Sequence, residues 1–384
     1  MKMRVYLDHA ATTPVHPDVL AEMLPYFIEA GHNPSSLHAE GRRARAGLDQ
    51  ARDRVAAALG VARKEITFVG SGSEADTQAL LSVARTYAAQ RGRHVVSTQI
   101  EHHAVLHALD ALREEGFEIT LLPVDERGLV DPEAFARALR DDTVLASVMY
   151  ANNEIGVVQP IAQLAAAAHE RGVIFHTDAV QGAGLIGVRP RELGVDLLSL
   201  SAHKFYGPKG VGVLYVREGL VLAPIVHGGG QEFGRRSGTE NVAGAVGLAA
   251  ALERAVRAQP ERARRIGALR DRLEAGLRAS AGEVRINGAG APRLPNNSNV
   301  SFAGVDSEAL LMRFDLEGIA VSAGSACTSG ALEPSHVIAA LGIDPRWHQG
   351  VIRFSLGEAT TEEEIERVLE LAPRITAELQ GRAT

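Results

Sequence analysis

Cysteine, tryptophan and lysine are nearly absent from this chain. Its 384 residues include one cysteine, Cys327, one tryptophan, and four lysines against 36 arginines. A single cysteine excludes an internal disulfide and a cysteine-based metal cage. The first ten residues carry no apolar leader, and no run of 18 apolar residues occurs anywhere, so the expectation is a cytoplasmic protein with no membrane segment. A net charge of −7 and the lack of any Lys/Arg block exclude a nucleic-acid footprint. Arg262, Arg264, Arg265, Arg270 and Arg272 do cluster, but Glu261, Asp271 and Glu274 are interleaved, which reads as a solvated helix face.

The scarcity of lysine makes Lys204 conspicuous. It stands in Ser201-Ala-His-Lys204, just after the apolar run 196–200. Lysine forms a Schiff base with a carbonyl cofactor, and arginine does not substitute for it. The surrounding pattern supports a buried strand end. Short β-branched runs at 65–69, 94–97, 118–122, 144–149, 173–176, 196–200 and 212–216 alternate with helical patterns at 74–90, 104–115, 132–140 and 161–171. That alternation predicts βαβ units, a mostly parallel seven-stranded sheet, and ligands at the strands' C-terminal ends. Beyond Gly230 a long helix is expected at 242–280. A smaller α/β piece follows, with strands at 284–286, 299–302 and 351–355 and helices at 307–317, 335–341 and 361–379. The expected division is a large domain, 15–255, and a small C-terminal α/β domain, 256–384, to which residues 1–14 return.

Four further segments fall at strand ends. Gly70-Ser-Gly-Ser-Glu74 opens a helix, and its backbone N–H groups, with Ser71 and Ser73, form either a phosphate cup or a plain helix cap. The cup lacks the lysine of an ATP-binding loop. Asp178 is either a turn residue or, with Lys204 26 residues on, a carboxylate that keeps a pyridine nitrogen protonated. Gln181 stands ready to hydrogen-bond a ring hydroxyl. His102, in Glu101-His102-His103, lacks a third metal ligand at suitable spacing, which leaves stacking on a flat ring as its functional reading. Asn152 and Asn153 either shape a turn or supply amides, and Arg353 either grips a carboxylate bidentately or forms a structural ion pair. Cys327 sits in the small, polar run Ser322-Ala-Gly-Ser-Ala-Cys-Thr-Ser329, the setting of a mobile nucleophile rather than of a core thiol.

Taken together, the chain resembles the pyridoxal-phosphate-dependent cysteine desulfurases of the class V aminotransferase superfamily. The resemblance covers essentially its whole length, through Tyr6-Leu-Asp-His-Ala-Ala-Thr-Thr-Pro14, Asn152-Asn-Glu-Ile-Gly-Val-Val-Gln159, Ser201-Ala-His-Lys-Phe-Tyr-Gly-Pro-Lys-Gly210, His227-Gly-Gly-Gly230, Arg236-Ser-Gly-Thr239 and Arg353-Phe-Ser-Leu-Gly357. Ser325-Ala-Cys-Thr-Ser329 resembles the long-loop group. The resemblance implies fold type I, a homodimer, and pyridoxal 5′-phosphate. It makes Lys204 the Schiff-base lysine, Asp178 the pyridinium partner, Gln181 the ring-oxygen contact and His102 the stacking imidazole. Gly72, Ser73, Ser201 and His203 would hold the phosphate, joined by Thr239 of a second subunit. Asn153 and Arg353 would hold the carboxylate of L-cysteine, and Cys327 would take its sulfur for an acceptor such as an iron–sulfur scaffold. An aminotransferase, a selenocysteine lyase and a non-catalytic sulfur-transfer partner are the rival readings. One departure is local: Gly72 stands where the family usually carries alanine.

Overall fold

The protein, described here from a computed structural model over residues 4–323 and 335–381, begins with strand β1 (Val5–Tyr6). Seven strands then form the main sheet: β2 (Ile66–Val69), β3 (His94–Thr98), β4 (Glu118–Leu122), β5 (Thr143–Ser147), β6 (Ile174–Asp178), β7 (Leu197–Ser201) and β8 (Gly212–Val216). Their order is β2-β8-β7-β6-β5-β3-β4, and only β8 runs antiparallel to its neighbours. All seven expected strands are present, with ends shifted by at most two residues. Five of them are buried along their whole length besides β2, which is why they read as continuous apolar runs rather than alternating ones.

The order reverses between β3 and β5, so the loops that follow these strands diverge and leave a crevice at the sheet's C-terminal edge. The loops carrying His102 and Asn153 follow β3 and β5. Asp178 ends β6 and Ser201 ends β7.

Helices α1 (Pro17–Met23), α2 (Ala39–Leu59), α3 (Gly72–Arg91), α4 (His103–Glu114), α5 (Pro132–Ala138), α6 (Ile161–Glu170) and α7 (Pro190–Leu193) surround this sheet. Helix α2 has no counterpart in the sequence reading. Its buried stripe is Gly41, Ala44, Gly47, Leu48, Ala51, Val55, Ala56 and Leu59, too poor in large side chains to register as an apolar face. The small residues permit close packing: a Cβ on Gly47 would lie 2.2 Å from the Tyr26 ring.

Helix α8 (Val242–Ser280) spans two cores. Residues from Val242 to Ala255 pack with the large sheet, and Ile266, Leu269, Leu273 and Leu277 pack with a second core. That core holds β9 (Val284–Asn287), β10 (Asn297–Phe302), α9 (Ser307–Leu316), β11 (Ile319–Ala320), β12 (Val351–Ser355) and α11 (Glu362–Leu379); the short helix α10 (His336–Ala340) precedes β12. Strands β12-β10-β9 are antiparallel, while β1 pairs parallel to β11. The arginine-rich face of α8 departs from the solvated reading in part. Arg262 is 7% exposed and Glu274 4%, because Arg262 binds Glu358 at 2.8 Å and Glu274 binds Arg293 at 2.7 Å.

The turn Gln231–Gly234 is tied into the large core by a buried ion pair. Arg52 meets both carboxylate oxygens of Glu232, at 2.6 and 2.7 Å, and Glu232 also accepts from the Phe68 N–H at 2.8 Å. The guanidinium lies 4.8 Å from the Phe68 ring centre and 5.0 Å from that of Phe233. This anchorage holds two consecutive non-glycine residues, Glu232 (φ 49°) and Phe233 (φ 60°), in the left-handed region. Glu232→Ala is expected to cost about 3–5 kcal/mol in urea unfolding, because it leaves Arg52 buried and unpaired. Glu232→Gln still accepts from Phe68 and should cost less; equal losses would contradict this reading.

Candidate active site

Lys204 projects from the short turn after β7, and its Nζ donates to the carbonyls of Ala10 (2.6 Å) and Ala11 (2.8 Å). The N-terminal segment therefore lies directly against it. Gln181 Nε2 donates to the same Ala10 carbonyl at 3.1 Å, and Thr13 Oγ1 donates to the His203 carbonyl at 2.9 Å. His203 Nδ1 meets Thr12 Oγ1 at 3.1 Å, and burial pushes its imidazole down to about 4. Sequence reasoning left residues 8–13 without individual roles, since a short segment folding back across more than 190 residues has no local signature.

Asp178 ends β6 and is 6% exposed. Burial pushes its carboxyl above the usual range; His102, the Val180 N–H (2.8 Å) and Lys204 all pull it back toward the charged form. His102 caps α4, its Nδ1 accepting from the Ala104 N–H at 3.1 Å, which leaves Nε2 to carry the ring proton. Burial lowers its pKa, against the opposing pull of Asp178. Lys204, Asp178 and His102 thus form one electrostatic cluster at the crevice.

Two carboxylates that the sequence reading passed over lie beneath it. Glu101 is fully buried and accepts from Thr98 Oγ1 (2.7 Å) and the Met149 N–H (3.0 Å). Burial, aided by Asp178, pushes it up to about 8. Asp76 on α3 is raised by the same two causes and lies 3.6 Å from His176 Nε2. His176 is held between Ser147 Oγ (2.9 Å) and Ser199 Oγ (3.0 Å), and burial drives it down to about 3. The ladder of polar groups under Asp178 therefore holds a neutral imidazole. Alternation along β6, with His176 two residues before Asp178, was the available signal.

In the turn from β2 into α3, Ser71 Oγ caps the helix, accepting from the Glu74 N–H at 3.0 Å, which is the helix-cap alternative of the sequence reading. Glu74 closes the turn, accepting from the Gly70 N–H at 2.8 Å and pairing with Arg236 at 2.8 Å. The first-turn N–H groups of Gly72 and Ser73 face the helix's N-terminal end. Gly212 allows β8 to pass beneath: a Cβ there would lie 2.8 Å from the Ser71 backbone. A Cβ on Gly72 would lie 2.8 Å from Val180 Cγ2 and 3.3 Å from Ser201 Cβ, so Val180 fills the space an alanine methyl takes. Thr239 is exposed, three residues from Arg236.

Arg353, 2% exposed, donates Nη2 to Asp8 and Nη1 to the Asn153 carbonyl, both at 2.9 Å. Asn153 thus contributes its backbone to hold Arg353. Asn152 is the turn former, its Oδ1 accepting from the Glu154 and Ile155 N–H groups. Cys327 lies outside the described residues.

An amine, a buried carboxylate, an imidazole and a helix N-terminus converge, and these suit a flat aldehyde cofactor with an anionic tail. Lys204 would bond the aldehyde, Asp178 would meet the ring nitrogen, and the cup at Gly72 and Ser73 would take the phosphate.

Gly72→Ala is expected to weaken retention of such a cofactor about tenfold, with Val180→Ala restoring it in the double variant; equilibrium dialysis reads both. The Glu101 carboxyl has a folded pKa above its ordinary value. Its contribution is therefore complete below about pH 4.5 and is lost as pH rises through about 8. Glu101→Gln should flatten the decline of the urea midpoint between those values, and parallel curves for variant and parent would contradict it.

Comparison with known proteins gives the same answer throughout the chain. The aminotransferase class-V family model matches residues 5–368. The cysteine desulfurase IscS of Dictyoglomus turgidum is 47% identical over 99% of this chain and 96% of its own. The cysteine desulfurase NifS of Azotobacter vinelandii is 45% identical over 98% and 94%. Among solved structures, a NifS-like protein superposes with a TM-score of 0.91 at 40% identity, covering 98% of this chain and all of that one. A NifS-like protein from Rickettsia africae gives 0.87 at 31% identity, covering 97% and 99%. The chain belongs to the class-V aminotransferase family.

Proposed function

We propose that the chain is a pyridoxal-phosphate-dependent cysteine desulfurase, which moves the sulfur of L-cysteine onto Cys327 and releases L-alanine. The observation that carries this reading is the cluster of Lys204, Asp178 and His102 at the crevice of a chain 45–47% identical to cysteine desulfurases. When bound, the cofactor supplies an electron sink that acidifies the substrate's Cα–H and loosens its Cβ–S bond.

The chain's own residues supply the rest. Lys204 holds the cofactor, then takes and returns the substrate's Cα proton on Nζ. Asp178 keeps a negative charge under the ring nitrogen; the desolvation that disfavours this charge also strengthens its hold on a cation there. Burial favours the neutral form of His102, whose ring would stack on the cofactor. Gln181 would contact the ring oxygen, and Gly72, Ser73, Ser201 and His203 would hold the phosphate. Arg353 binds the substrate carboxylate beside Asn153. The Cys327 thiolate forms an S–S bond to the substrate sulfur as the Cβ–S bond breaks. The electron pair stays with carbon, which gains a proton.

We assign residues 15–255 to the cofactor-binding domain and residues 1–14 and 256–384 to the smaller one, supported by the separate cores that α8 joins. A homodimer is supported by the exposed apolar side chains of Phe27, Ile28, Leu37 and Phe233, and Thr239 would reach the partner's phosphate cup. The sulfur passes to an acceptor protein, such as an iron–sulfur scaffold, in the cytoplasm. Among the described residues no helix is long and apolar enough to cross a membrane.

Cys327→Ser decides the reading. The expected result is an intact cofactor absorption spectrum with alanine formation from L-cysteine reduced at least a hundredfold. Undiminished alanine would contradict the assigned nucleophile.

A further inference from the structure

A cavity of about 20 Å³ lies against Lys204, and its wall includes His9, Thr13, Gln181, Arg262 and Asn296. Two polar atoms of that wall have no hydrogen-bond partner within the described residues, His9 Nδ1 and Asn296 Oδ1. Both residues are more than nine-tenths buried, with exposures of 8% and 5%. The His9 imidazole is pinned: its ring packs edge-on to Tyr6 at 4.9 Å, and a Cβ on Gly357 would lie 2.1 Å from it. The neutral imidazole carries a single ring proton, and with that proton on Nε2 the unpartnered Nδ1 is an acceptor. Asn296 spends its amide N–H on the Leu356 carbonyl at 3.4 Å, so its oxygen is likewise an acceptor.

Two buried acceptors on one wall are costly unless a donor lies between them. A cavity of this size holds one water molecule, which carries two O–H donors and keeps its lone pairs for the cations opposite. We infer that the cavity is an internal-water site. One water donates to His9 Nδ1 and Asn296 Oδ1 and turns its oxygen toward Lys204, making His9 and Asn296 positioning residues for the Lys204 amine.

The charges around the site fit this orientation. Arg262 and Lys204 are the cations of the wall, while Glu358 is already bound by Arg254 and Arg262 and Asp8 by Arg353. The imidazole is itself neutral, because burial pushes it down to about 4 against the pull of Asp8 and Glu358. The water's oxygen thus faces the Lys204 nitrogen and favours its protonated form, in a cavity whose wall carries no carboxylate.

The role assigned to Lys204 rests on the proposed function, but the water site does not. A high-resolution crystal structure of the holoenzyme is expected to show a density peak within hydrogen-bond distance of both atoms. His9→Phe should remove the peak and move the pH midpoint of the bound cofactor's absorption band by half a unit or more. His9→Gln, which restores an acceptor, should bring the midpoint back. A cavity without that peak, or a midpoint unmoved in His9→Phe, overturns the inference. If Lys204 does not hold the cofactor, the band is missing from the parent protein while the peak remains, which separates the two failures.

Discussion

The structure depends on one buried charge. Asp178 is placed by its strand almost wholly out of reach of water, and desolvation pushes its carboxyl toward the neutral form. Three neighbours oppose that: the Val180 N–H, His102 and Lys204. Each is positioned by a separate element, namely the turn after β6, the cap of α4 and the turn after β7. The other buried acids near it, Asp76 and Glu101, are pushed toward their neutral forms, and His176 stays uncharged. The negative charge available to a cofactor ring is thereby concentrated at one carboxylate. A parallel sheet reversing its order one strand away, between β5 and β3, supplies the crevice.

The second constraint is the return of the N-terminus. Residues 8–13 cross from the small core to the large one and bind Arg353, Gln181, Lys204 and His203 in succession. On the proposed reading, a substrate carboxylate at Arg353 would meet a guanidinium already shared with Asp8. The same segment carries His9, so the amine of Lys204 is held on one side by backbone carbonyls and bordered on another by a polar cavity.

Much of this was legible in the chain because its signals are local. Fully buried strands give unbroken apolar runs, so six of the large sheet's seven could be read this way, with the more exposed β4 read beside them, and loops at their ends drew attention to His102, Asp178 and Lys204. Helix α2 escaped because glycine and alanine line its packed face and Arg52 is buried within it. Arg262 looked solvated for the converse reason: its acidic partner, Glu358, lies 96 residues away. Glu101 and Asp76 could not be recognised as buried acids, since only the folded sheet shows that they are enclosed. Ser71 was left between a cap and a ligand role, because the sequence does not show that it accepts the Glu74 N–H of its own helix. Long-range polar pairing, rather than apolar patterning, is where the reading of the chain ran short.

The four lysines make the central claim easy to test. The holoenzyme is reduced with borohydride, digested, and mapped by mass spectrometry. The account predicts a pyridoxyl group on Lys204 alone; a label on Lys2, Lys64 or Lys209 with Lys204 unmodified, or no label at all, would contradict it.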